Sequence, residues 1–199
     1  MTLSTTKSFR SKLYDFYINN THEMYKDVLA TLSPKSRILE VGIGNGMCVE
    51  KNAELIRKKK FQIEGIDIDT DYLQICNLRI LSCGLESQVI VREQDLLEMK
   101  EPKKSSNKYD YILFMESYPV IPIEIMKKMM DKCRKLIRYG GKLLFVHNLV
   151  EMKNPVADFL KPRLKDIPFV RVDFGRLTTH AEFDEFIQST EYQITKKKC

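Results

Sequence analysis

The chain has 199 residues, with 33 Lys and Arg against 27 Asp and Glu, a formal charge of +6 and a pI near 9.0. That length suits one domain with a well-buried core, and with no apolar run of about 18 residues and no signal peptide it reads as a cytoplasmic protein without a transmembrane segment. Five widely spaced cysteines, Cys48, Cys76, Cys83, Cys133 and Cys199, contain no Cys-x-x-Cys pair and exclude a disulfide framework.

In chain order, residues 9–32 form an amphipathic helical pattern, with Phe9, Leu13, Phe16, Tyr17, Met24, Val28 and Leu29 broadly on one side. The run Arg37-Ile-Leu-Glu-Val41 after Pro34 is short, aliphatic and bounded by turn residues, the pattern of a buried parallel strand. Gly42, Gly44 and Gly46 then allow a sharp turn and close approach to a ligand. Residues 47–60 read as one helix, which places the glycines at a strand-to-helix turn whose amides are expected to be free to donate.

The charge beside this turn decides which ligand it suits. A dinucleotide fingerprint is Gly-x-Gly-x-x-Gly with a pyrophosphate on the helix N-terminus. Here the third glycine arrives one residue early, and Glu40 stands beside the turn. At an effective dielectric of about 20 that carboxylate would repel a pyrophosphate by a few kcal/mol. A cationic ligand reverses the sign.

The segment Glu40-Val-Gly-Ile-Gly-Asn-Gly46 resembles motif I of the Rossmann-like, class I S-adenosylmethionine-dependent methyltransferases, whose cofactor carries a sulfonium and an ammonium and no phosphate. Three later segments follow in that family's order. Phe61 to Asp67 reads as a second strand ending in an acid, and the resemblance makes Asp67 the ribose-binding position with Ile68 beside it. Asp67 or Asp69 can instead cap the helix that begins near Thr70, and the reading adopted gives Asp69 the cap. Residues 87–95 read as a third strand and its exit, with Asp95 implied as the adenine-amine contact and Leu96 as its neighbour, or Asp95 as a solvated loop carboxylate. Tyr109 to Met115 reads as the fourth strand.

Met126, Met129, Met130, Cys133, Leu136 and Ile137 recur at helical spacing opposite a face of Lys and Arg, so this methionine stripe is read as core. Tyr139-Gly-Gly141 is expected to end that helix before a fifth strand, Lys142 to Val146. Later segments read as a helix over 154–165, a strand over 169–174, a helix over 179–189 and a short strand over 192–196. The resemblance therefore implies an α/β, Rossmann-like three-layer sandwich. Its mostly parallel central sheet would have six to seven strands with helices on both faces. Residues 1–34 would form a helical cover over a methyltransferase domain of 35–199, with Tyr14, Tyr17, His22 and Tyr25 as candidates to line the pocket or as ordinary residues of a packed helix.

The activity so implied is in-line transfer of a methyl group from S-adenosylmethionine to a nitrogen or oxygen nucleophile, leaving S-adenosylhomocysteine. Acceptors bind outside the carboxyl ends of the strands in such sheets, which singles out Glu116-Ser-Tyr-Pro119 and His147-Asn148. Glu116 is the first candidate to orient an acceptor and His147 the first to take its proton. A helix-terminus carboxylate and a core histidine are the structural alternatives. The Asn-Pro-Pro-Tyr type motif of nucleobase and glutamine N-methyltransferases is absent, as is an Asp-Asp-Asn style metal set. His180-Ala-Glu182 lacks the Cys-x-x-Cys partner of a zinc deaminase, so no metal site is expected. A small-molecule acceptor is the preferred partner. RNA, protein or an anionic lipid surface remains open on charge, as does a non-catalytic cofactor-binding partner subunit.

Overall fold

The protein is described from a computed structural model covering residues 21–160 and 177–195. Its elements are α1 (Thr21–Thr31), β1 (Arg37–Val41), α2 (Met47–Lys51), α3 (Ala53–Lys59), β2 (Gln62–Asp67), α4 (Thr70–Ser82), β3 (Val89–Glu93), β4 (Tyr109–Met115), α5 (Ile123–Leu136), β5 (Ile137–Val146), α6 (Pro155–Leu160) and α7 (His180–Gln188). The strands form one parallel sheet in the order β3-β2-β1-β4-β5. The order reverses beside β1, so the exits of β1 and β4 flank the crevice where such sheets bind ligands.

Successive strand residues face opposite sides, and the core divides accordingly. Ile38, Ile63, Leu113 and Met115 pack with Tyr25 and Leu29 of α1, Val49 of α2, Ile56 of α3 and Leu73 and Ile80 of α4. Leu39, Val41, Ile66, Ile112 and Phe114 pack with the methionine stripe of α5 and with Phe183, Phe186 and Ile187 of α7. This is the expected three-layer arrangement, and the methionines are core.

Several boundaries differ from the sequence reading. The helix expected over 47–60 is broken at Asn52, whose side-chain amide donates to Cys48 O at 2.9 Å and to His22 O of α1 at 3.1 Å. One residue thus joins α2, α3 and α1, a tertiary bond that helical periodicity does not reveal. The fifth strand begins at Ile137, directly after α5, rather than at Lys142. It runs through Gly140, at φ 76°, with a register shift opposite Tyr109 and Tyr111.

The sheet has five strands among the described residues, not six to seven, and all five are parallel. Residues 192–195 are not a strand. Tyr192 instead donates its hydroxyl to Met130 O at 3.0 Å and lies under the Arg134 guanidinium, so this segment packs on α5 and not on a sheet edge. The strand expected over 169–174, the later part of the 154–165 helix and the first part of the 9–32 helix, including Tyr14 and Tyr17, lie outside the described residues. The 179–189 helix is present as α7. Thr179 and Glu182 close a reciprocal capping box at its start.

Candidate functional site

The glycine turn leaves β1 with Gly42, Gly44 and Gly46 at φ of 74°, 60° and 75°, a region that glycine enters without steric cost. Its first three amides are not free. Gly42 N donates to Ile66 O at 2.8 Å, Ile43 N to the same carbonyl at 3.2 Å, and Gly44 N to Asp67 Oδ2 at 2.8 Å. This corrects the expectation of a donor-lined turn: the Ile66 carbonyl of β2 and Asp67 consume its first three donors. The consequence reinforces the charge argument against a pyrophosphate.

Gly65 also shapes the turn, although sequence reasoning passed over it. It lies opposite Glu40 in the β1–β2 register, and a Cβ there would collide with Ile43 of the turn. A glycine inside an otherwise aliphatic strand signals such a close approach. Gly42 is equally confined, since a Cβ at that position would stand 2.9 Å from Ser117 Cβ at the exit of β4. Gly46 packs against Cys76 of α4.

Glu40 is 1% exposed at the end of β1. Tyr25 of α1 donates its hydroxyl to Glu40 Oε2 at 2.6 Å. Burial pushes the carboxyl up to about 7, while the Tyr25 hydrogen bond pulls the other way. Tyr25 is itself fully buried, and burial together with the neighbouring carboxylate raises its phenol well above the usual range. Of the two described candidates from the helical cover, Tyr25 is therefore a core residue facing Glu40, whereas His22 sits 3.4 Å from Glu23.

A small cleft of about 20 Å³ is lined by Thr21, Glu40, Gly42, Ile43, Asn45, Met47, Cys48, Met115 and Glu116. It brings four predicted site residues, Glu40, Gly42, Ile43 and Glu116, to one place. Asp67 lies at the end of the neighbouring strand and is half-buried. It accepts from Gly44 N and, through Oδ1, from Asp69 N at 2.9 Å. Burial raises its pKa, and the amide hydrogen bonds oppose that rise. Asp69 caps α4, accepting from Asp71 N and Tyr72 N at 3.0 and 3.1 Å, the capping role that the sequence reading gave it.

Beyond Asp67 the surface is open. Ile68 is 76% exposed, and Asp95 is exposed while accepting from Leu97 N at 2.8 Å. Leu96 is buried in the core on the α5 side, so at the surface it can offer backbone and not side chain.

The exits of β4 and β5 separate the two catalytic candidates. Glu116 occupies a left-handed conformation, φ 51°, rare for a residue with a side chain. Its amide, which donates to Val146 O at 2.7 Å, anchors the backbone there, and Asn148 Nδ2, which donates to Glu116 Oε1 at 2.9 Å, orients the side chain. Strained conformations of this kind cluster at functional sites. His147 turns into the aromatic cluster of the opposite face, with its ring 4.8 Å from Tyr118 and 4.9 Å from Phe183. Strand alternation accounts for the result: Asn148, one residue on, reaches Glu116. Sequence reasoning named Asn148 only as part of a dipeptide.

The residues present fit S-adenosylmethionine. A buried carboxylate suits an ammonium, Asp67 has lone pairs left for hydroxyl donors, and Ser117 at the crevice has a buried hydroxyl without a hydrogen-bond partner among the described residues. A larger cavity of about 330 Å³ lies elsewhere, between α5 and α7. Tyr118, Lys127, Thr178 and Glu182 are among its lining residues, and none of the turn glycines borders it.

Residues 38–141, just over half of the chain, match a family model described as a methyltransferase domain. The chain is 25% identical over 177 residues to the ubiquinone biosynthesis O-methyltransferase of Burkholderia orbicola (strain MC0-3), covering 86% of this chain and 70% of that protein. Among solved structures it is similar to the S-adenosylmethionine-dependent methyltransferase from Geobacter sulfurreducens in complex with S-adenosyl-L-homocysteine. The TM-score is 0.61 at 17% identity, covering 87% of this chain and 65% of that one. The (4+2)-cyclase SpnF superposes with a TM-score of 0.63 at 16% identity over 88% of this chain and 58% of that one. At these identities the structural likeness shows the fold alone, and the chain spans less than two thirds of the length of either structure.

Proposed function

This chain belongs to the Rossmann-like S-adenosylmethionine-dependent methyltransferase family, and on that premise we propose that it transfers the cofactor's methyl group to a nitrogen or oxygen atom of a small molecule. The observation that carries this reading is Glu40, a carboxylate buried beside a turn whose first three amides are already consumed. Such a site suits a cation and disfavours a phosphate. When bound, the cofactor supplies a methyl group on a sulfonium, which is itself a good leaving group.

The chain's own residues then bind, orient and exclude water. Glu40 receives the ammonium. The glycine turn with Ile43 admits the ligand backbone, and Asp67, pinned by two backbone amides, accepts from the ribose hydroxyls. Ile68 offers an apolar face to the adenine, with Asp95 and the Leu96 backbone at its edge. Glu116, fixed by Asn148, orients the acceptor at the β4 exit, and most of the catalysis comes from alignment and desolvation. A strong general base is not required, which suits the placement of His147 among aromatic rings. α1, which brings Thr21 to the cleft and Tyr25 to Glu40, serves as part of the cover of the site.

An oxygen acceptor on a small molecule is favoured by the likeness to a ubiquinone biosynthesis O-methyltransferase. No helix among the described residues is long and apolar enough to cross a membrane, and Cys48, Cys76, Cys83 and Cys133 are free thiols. The free thiols favour a reducing, cytoplasmic site of action. Calorimetry with S-adenosylhomocysteine and NAD in parallel tests the cofactor: tight NAD binding with no response to the thioether overturns the reading. Turnover with a panel of hydroxylated and amine-bearing metabolites then tests the acceptor class.

A further inference from the structure

We propose that Tyr25 is a positioning residue for the cofactor: its hydroxyl, donated from α1 to Glu40, favours the ionised carboxylate and orients it to receive the cofactor's ammonium, so that docking of α1 and cofactor binding are coupled. This rests on the cofactor reading given above. Tyr25 is fully buried, and a phenylalanine would fill the same apolar space. The hydroxyl is therefore the informative part of the side chain, and it makes a 2.6 Å bond to a carboxylate fifteen residues away in sequence. Buried hydrogen bonds to a charged group are among the stronger ones a protein makes.

The groups around Glu40 leave Tyr25 alone in this role. Its strand neighbours in register are Gly65 and Leu113, which carry no charge. The thiols of Cys48 on α2 and Cys76 on α4 face the Tyr25–Glu40 pair, and Asp67 and Glu116 are the acids at the neighbouring strand ends. Arg79 of α4 is the cation beside Cys76, and its guanidinium is engaged with Glu50 at 3.5 Å and with Asn45 Oδ1 at 3.2 Å. Tyr25 is thus the one hydrogen-bond partner of the Glu40 side chain among the described residues. Glu40 Oε1 is left for a ligand on a residue that lines the cleft, and a buried carboxylate with a single partner gains most from a cation. Because Tyr25 sits mid-helix, α1 cannot leave the sheet without taking this donor away.

The test is the pH profile of S-adenosylhomocysteine binding, measured by calorimetry. For the wild-type protein, Kd is expected to weaken about tenfold from pH 8 to pH 6, with net proton release on binding near pH 7 seen as a dependence on buffer ionisation enthalpy. In Tyr25→Phe the midpoint of that profile should move up by about one pH unit. Affinity would then fall several-fold at pH 7 and return to within about twofold of wild type at pH 8.5. Uniform weakening at every pH would mean that Tyr25 only packs, and an unmoved midpoint would overturn the coupling. Wild-type binding without any proton release also overturns it, whether or not the variant folds. Absence of wild-type binding at every pH overturns the cofactor reading itself, which separates the two failures.

Discussion

Gly44 of the turn donates its amide to Asp67 Oδ2 at 2.8 Å, so the residue read as a ribose acceptor is also a structural ligand of the glycine turn. Binding and folding are linked through this one carboxylate. Asp67→Ala is expected to weaken S-adenosylhomocysteine binding by roughly 1.5 to 3 kcal/mol, the scale of hydrogen bonds to a charged group, and to lower folding stability by about 1 to 3 kcal/mol because Gly44 and Asp69 lose their acceptor. Calorimetry beside urea denaturation reads both. A change in affinity alone would remove the structural half of the claim, and a change in stability alone would remove Asp67 from the ribose.

Gly65→Ala should destabilise the protein by about 1 to 3 kcal/mol, since the new methyl meets Ile43 where no space exists. Adding Ile43→Ala should recover part of that loss, because the clash is between these two side chains. A double-mutant cycle in chemical denaturation measures the coupling. Strictly additive effects would show that the turn moves aside.

Glu40 gives the ligand-free protein a pH dependence of defined sign. Its folded pKa, about 7, is raised from 4.5 mainly by burial. The protonated carboxyl therefore favours the folded state below the unfolded value, and that contribution is lost as pH rises through 7. Between pH 5.5 and pH 8 the wild type should lose about 2 kcal/mol relative to Glu40→Gln. Urea midpoints for the two proteins across that range check the prediction, and parallel profiles would show that Glu40 is ionised in both states.

Glu116→Gly should relieve the left-handed strain at φ 51° and leave stability unchanged or raised by up to about 1 kcal/mol, while turnover falls. Asn148→Ala should reduce turnover with the backbone of residue 116 unaltered. Thermal unfolding and assays on an identified acceptor separate the two. Full activity in Glu116→Gly would assign the strain to the chain reversal alone.

Thr179→Ala removes the reciprocal cap of α7 and should cost about 1 kcal/mol, measured by denaturation. An unchanged stability would mean that α7 is held by Phe183, Phe186 and Ile187 irrespective of its first turn.

The sequence by itself determined the local units: β1 and its glycine turn, Asp67 at the end of β2, Asp69 as the α4 cap, the methionine face of α5 and the choice of a cationic ligand over a pyrophosphate. Each of these follows from short-range physics, namely the period of apolar residues, the φ that glycine permits, and the sign of a charge a few residues from a turn. The tertiary structure alone decided that Tyr25 lies on Glu40, that Gly65 makes room for Ile43, that the turn's first three amides are consumed internally, and that Asn148 rather than His147 meets Glu116. It also decided that residues 192–195 pack on α5 instead of adding a strand. These are contacts between segments distant in sequence, fixed by strand register and by which face of the sheet each residue points to, and a one-dimensional pattern carries neither until the sheet is assembled.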